Sequence, residues 1–170
     1  MQVQRDVARE PSMRPNARHV YLSVVLFASF LSGCVTTSTS GLAQTEVLAA
    51  LANMGAAANA HDVDGHVGFY AHDASTVLIF NGEAIVGWET IRAKQREWWS
   101  DGKTDVVYTV QGKPEVRMLK ADLAVTTVFM TSRRTGPNGE VKDGRFAVSA
   151  LWQRRPEGWR VIYSHESTTH

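Results

Sequence analysis

Two apolar rhythms divide the chain. Up to residue 99 the spacing is mostly helical. Val47, Leu51, Met54 and Ala58 recur every three or four residues, which predicts a helix from Glu46 to about Asn59, capped by Thr45. Its alanines make it slim enough to lie close to a sheet. Asp62 is placed to cap a second, short helix with Val63, Val67 and Phe69 or Tyr70 on its inner side; Gly65 and Gly68 weaken it. A third helix over 90–99 turns Ile91, Gln95 and Trp98 or Trp99 inward and Arg92, Lys94 and Arg96 to water. Between these helices lie a β-branched strand over 75–80, the two-residue turn Asn81-Gly82 and a short strand over 84–86.

Beyond residue 103 the period falls to two. Strands are predicted over 104–111, 115–119, 123–133, 145–153 and 159–167, separated by turn signals such as Gly112-Lys113-Pro114 and Arg155-Pro156-Glu157-Gly158. Helices followed by a run of antiparallel strands predict an α+β fold, with about three helices on one face of the sheet.

The last hairpin carries a register. A four-residue loop pairs Arg154 with Trp159 and Trp152 with Val161; strict alternation then sets Ala150 against Tyr163 and Val148 against His165. On that reading Phe146, Trp152, Tyr163 and His165 share the inward face, while Ile162 and Glu166 face outward.

The first 33 residues stand apart from this pattern. Arg5 to Arg18 is basic, Val20 to Leu31 is an apolar run too short to span a bilayer comfortably, and Leu31-Ser32-Gly33-Cys34 follows. This resembles a bacterial lipoprotein signal peptide ending in a lipobox. It implies a cleaved segment 1–33, a lipidated Cys34 with a tether to residue 43, and a domain over 44–168. That domain would stand outside the cytoplasm, in the bacterial envelope, held to the membrane by lipid. Without the first 33 residues the chain has 14 basic against 15 acidic side chains, so no basic field exists to hold nucleic acid. The single cysteine excludes an intrachain disulfide.

Several stretches share one order with a known superfamily: Asp62-Val63-Asp64-Gly65, then Phe69-Tyr70-Ala71-His72-Asp73-Ala74, a strand, Val86-Gly87-Trp88-Glu89-Thr90-Ile91, and a final W-x-V-x-Y-x-H-x-S from Trp159 to Ser167. The chain resembles the SnoaL-like and nuclear transport factor 2-like domains. The resemblance implies a cone, in which a curved antiparallel sheet wraps around the helices and leaves a pocket at the open end. It also implies a homodimer through the sheet's outer face. Enzymes of that superfamily, ketosteroid isomerases and polyketide cyclases, carry an acidic base near the end of the first long strand; here that position falls at Ile79, which cannot accept a proton.

The candidate site is the inward face of the last two strands: Tyr163, His165, Trp152 and Phe146, with Trp98 at the pocket mouth. His165 is the candidate for chemistry, since imidazole titrates near neutral pH; a structural histidine is the competing account. His61, His66 and His72 have no spacing for a shared metal, and no cofactor motif is present. The leading expectation is a non-catalytic domain binding a small apolar ligand or a protein partner. A lyase or isomerase using His165 and a structural dimeric envelope module are the alternatives.

Overall fold

The computed structural model describes residues 39–136 and 138–168; the expected signal peptide over 1–33 and Cys34 lie outside them. The first helix, α1 (Thr39–Asn59), begins six residues before Thr45. The Thr45 hydroxyl donates to the Gly41 carbonyl within the helix rather than capping it, so residues 39–43, expected in the tether, form its first turn. Asp62 does cap α2 (Val63–Val67), accepting from the Gly65 amide at 2.9 Å. The chain then forms the hairpin β1 (Val77–Phe80) and β2 (Glu83–Val86), with Asn81 and Gly82 both at positive φ, as a tight two-residue turn requires. Helix α3 (Trp88–Trp98) follows.

Four long strands complete the fold: β3 (Val107–Lys120), β4 (Leu123–Thr135), β5 (Val141–Arg155) and β6 (Gly158–Thr168). One sheet results, in the order β2-β1-β6-β5-β4-β3. It is mixed rather than wholly antiparallel, because β1 runs parallel to β6. The two strands expected over 104–111 and 115–119 are a single strand. Gly112, at φ +75°, and its neighbours form a bulge between Gln111 and Glu115 instead of a turn.

A second bulge decides the geometry of the site. The hairpin register holds through Arg154–Trp159 and Trp152–Val161, and then Leu151 pairs with Tyr163. Ile162 is the extra residue. Two neighbours meet β6 at this point. The segment after α2 docks on its first half, where the Val161 amide donates to the Phe69 carbonyl and the Ala71 amide to the Val161 carbonyl. The second half pairs with β1. Beyond the bulge every side chain changes face. Ala150 therefore meets Ser164, and Val148 meets Glu166, in place of Tyr163 and His165. The core between helices and sheet holds Val47, Val67, Tyr70, Leu78, Ile91, Trp152 and Val161, all fully buried.

Candidate functional site

Residues paired across a ladder share a face, so the register alone maps the inner surface. Phe80, Glu166, Val148 and Val128 form one row across four strands. The next row toward the open end is Thr168, Phe146 and Met130. Beyond it Ser132 pairs with Tyr108, and beyond that Arg134 pairs with Lys142. The helix side closes over these rows with aromatic rings. Trp98 packs on Phe80 with centroids 4.7 Å apart, and Phe146 meets Tyr108 edge to face at 6.0 Å. The Trp99 indole donates to the Tyr108 hydroxyl at 3.0 Å. Deeper in, the buried hydroxyls of Tyr70 and Ser164 share a 3.1 Å hydrogen bond.

Two acids fall in the Phe80 row among the described residues: Glu83, exposed at the sheet edge, and Glu166, half-buried within the sheet. Among the described residues the Glu166 carboxyl has no hydrogen-bond or ion-pair partner, and partial burial lifts it to about 7. Burial, chiefly, raises the phenols of Tyr70 and Tyr108, and the Glu166 charge raises both further. Glu166 therefore lies within electrostatic range of both hydroxyls. A carboxyl poised near 7 is available as acid and as base at neutral pH. The position expected for an acidic base on β1 is filled by Ile79, whose partner His165 faces outward with it. The inward neighbours on β1, Leu78 and Phe80, are apolar; the acid comes instead from β6, beside Phe80.

The expected site residues separate. Phe146 is on the inner face, and Trp98 lines the open end. Trp152 is fully buried, its indole donating to Thr126 Oγ1 at 2.9 Å, so it is core rather than cavity wall. Tyr163 (42 % exposed) and His165 lie on the outer face, turned there by the Ile162 bulge. Glu166, Ser164, Tyr70 and Tyr108 take their place inside. The signal that marks the change is the unbroken apolar run Val161-Ile162-Tyr163, which interrupts the alternation. His61 and His66 are tied to the backbone carbonyls of Val106 and Met54, and His72 stacks on Trp88 with centroids 4.0 Å apart.

Residues 43–170 match the calcium/calmodulin dependent protein kinase II association domain. The chain belongs to that family. Among solved structures, this association domain is similar to one from Xanthomonas campestris, also described as a calcium/calmodulin dependent protein kinase II association domain. The two are 22% identical with a TM-score of 0.62, over 73% of this chain and 86% of the other. It is similar too to a nuclear transport factor 2-like superfamily protein of Salmonella enterica (18% identity, TM-score 0.67, 77% and 94% covered). A third is a ketosteroid isomerase-like protein of Erwinia carotovora atroseptica (21% identity, TM-score 0.60, 75% and 96% covered). No curated protein matches the chain. The association domain thus has the nuclear transport factor 2-like fold.

Proposed function

We propose that this association domain binds a small, largely apolar molecule against its inner sheet face, with Glu166 as the polar anchor. The observation that supports it most is the Glu166 carboxyl, without a partner among the described residues, in the row of Phe80 and one row from Phe146. An aromatic wall with few polar groups suits such a ligand. The protonated carboxyl can donate to a carbonyl; the ionised form cannot. Acetophenone, a neutral aromatic ketone, is a direct probe. Its affinity for residues 36–170 falls about tenfold between pH 6 and pH 8.5, the size of one hydrogen bond to a group that changes charge. In Glu166→Gln, which always donates, the fall disappears. An unchanged pH profile in that variant would rule the site out.

One observation favours a second reading. A carboxyl near 7 on the inner face is the acid–base group that a lyase or isomerase needs. Such chemistry runs through Glu166 and not through His165, which faces the other way.

The domain is exported and held to the envelope by lipid on Cys34. Acyl chains there give membrane retention at ~0.8 kcal/mol per buried methylene. Cys34→Ser then yields an uncleaved or soluble form, seen by fractionation; a variant that fractionates and migrates like wild type removes the anchor. Two copies pair through the outer sheet face, where Phe129 (57 % exposed), Tyr163 and the half-buried Leu151 lie. Light scattering on residues 36–170 gives twice the monomer mass, and Phe129→Asp halves it. A wild-type monomer at about 50 μM, where a Kd tenfold lower would hold a dimer, contradicts the pairing.

A further inference from the structure

Helix α1 and strand β3 run side by side in opposite directions. At one end the Gln44 side-chain amide donates to the Val116 carbonyl at 3.3 Å. At the other the Asn59 side chain donates to the Tyr108 carbonyl at 3.0 Å and accepts from the Tyr108 amide at 2.8 Å. Leu42, just before Gln44, and Leu119, just after Val116, therefore lie at the same end of the domain. Both are exposed, Leu42 by 55 % and Leu119 by 48 %. Leu119 is the extra residue of a bulge: Met118 pairs with Ala124 and Lys120 with Leu123, and nothing stands opposite it. The turn Ala121-Asp122 follows, and β5 closes against it, the Arg154 amide donating to the Asp122 carbonyl at 2.8 Å. Arg117 and Lys120 are exposed to either side of Leu119 and have no carboxylate partner among the described residues.

The start of α1 is fixed to this end. The Glu46 carboxylate is ion-paired with Arg154 on β5 and accepts from the Trp159 indole on β6 at 3.1 Å. Between Cys34 and Thr39, where α1 begins, the chain can reach at most about 18 Å, at ~3.6 Å per residue. The far end of β4, next to the hairpin tip at Asn138, is about 40 Å from the Ala121-Asp122 turn at ~3.3 Å per residue. A lipid on Cys34 therefore brings a bilayer surface to the end that holds Leu42 and Leu119.

We infer that this end of the domain is a membrane-docking surface. Leu42 and Leu119 seat at the boundary of headgroups and acyl chains, and Arg117 and Lys120 reach back to the phosphates. This rests on the lipid anchor proposed above and adds how the anchored domain stands on the bilayer. Asp122 and Glu157 lie in the two turns at this end, so the hold is apolar more than electrostatic and does not require anionic lipid. The tether keeps the surface at high local concentration, so two leucines, too few to retain a free domain, are enough to orient a tethered one. The open end, beside Tyr108 at the other end of α1, then faces the aqueous phase. The inner-face site takes its ligand from there rather than from the bilayer.

The test uses the mature lipoprotein carrying Asp122→Cys or Asn138→Cys, labelled with an environment-sensitive thiol dye. It is reconstituted into phosphatidylcholine vesicles with and without a nitroxide-labelled phosphatidylcholine. Lipidation consumes the thiol of Cys34, the single cysteine of the chain, so only the introduced thiol takes the dye. In Asp122→Cys the dye shifts to the blue and loses emission to the nitroxide lipid; in Asn138→Cys it does neither. Adding L42Q/L119Q, at two exposed positions, removes both effects from Asp122→Cys while the protein stays in the membrane fraction. Equal quenching in the two labelled proteins, or none in either, overturns the docking surface and leaves the anchor standing. So does quenching in Asp122→Cys that survives L42Q/L119Q, because the tether alone then accounts for it. A wild-type chain that takes the dye at Cys34 and stays out of the membrane fraction overturns the anchor and the docking surface together.

Discussion

Glu166→Gln stabilises the domain by roughly 3 kcal/mol at pH 8 and leaves it unchanged at pH 4, since a shift from the usual carboxyl value to about 7 is worth ~1.4 kcal/mol per unit. The direction follows from proton binding. Between pH 4.5 and 7 the folded state holds the Glu166 proton and the unfolded chain does not, so wild-type stability falls as pH rises through that window. Glutamine has no proton to lose. His66 works in the opposite sense. Its ring donates to the Met54 carbonyl at 3.1 Å, and burial depresses it to about 4. The unfolded chain therefore binds its proton first as pH falls, and stability rises with pH between about 4 and 6.5. In wild type the two slopes nearly cancel over the shared window. Glu166→Gln exposes the His66 slope, and stability then climbs from pH 4 to 6.5 and levels off. The exposed carboxylates held low by partners, Asp64, Asp105 and Asp143, lose stability on acidification in both proteins and drop out of the difference. Urea midpoints at pH 4, 5.5 and 8 test this; equal midpoints at pH 8 mean that Glu166 is well solvated, and the proposed anchor goes with them.

How far the sequence could be read depends on how local each cause is. The three helices, the Asn81-Gly82 turn and the first pairs of the last hairpin are written within a few residues. The alternation of Trp159 and Val161 with Arg160 specifies that register without distant partners, although Arg155 pairs with Gly158 and the expected four-residue loop is the two-residue turn Pro156-Glu157. The insertion of Ile162 is not local. It is set where β6 leaves the Phe69–Ala71 segment and takes up β1, and β1 lies about eighty residues earlier. The apolar run Val161-Ile162-Tyr163 breaks the alternation, but it does not say which residue is inserted or how the faces resume beyond it. Every inward assignment beyond it was therefore inverted, which moved His165 out and brought Glu166 in. Gly112 shows the same limit in milder form: Gly-Lys-Pro signals a break in the ladder but cannot say whether the chain reverses or bulges and continues. The superfamily resemblance did not depend on faces. It rested on the order of short motifs along the chain, and so it survived the inversion.

Trp152→Ala costs about 3–5 kcal/mol, the range for emptying the volume of a fully buried aromatic ring. The ring lies on the inner face of β5 next to Ala124 and Val161, in the part of the sheet that the helices seal. Its indole N–H is bonded to Thr126 Oγ1, itself buried, so truncation also strands a hydroxyl away from water. For a domain of this size the midpoint of thermal unfolding drops by about 10 °C or more. Trp152→Phe separates the two contributions: it keeps most of the volume, gives up the hydrogen bond, and costs about 1–2 kcal/mol. Phe146→Ala is the control on the same strand. Phe146 is half-buried and meets Tyr108 only at its edge, so its loss falls mainly on ligand affinity, with a smaller change in stability. The pair distinguishes core from cavity on one β-strand by experiment. A Trp152→Ala protein that melts like wild type but no longer holds acetophenone would show that ring lining the binding space, and the inner site would then extend into the part of the sheet that the helices cover.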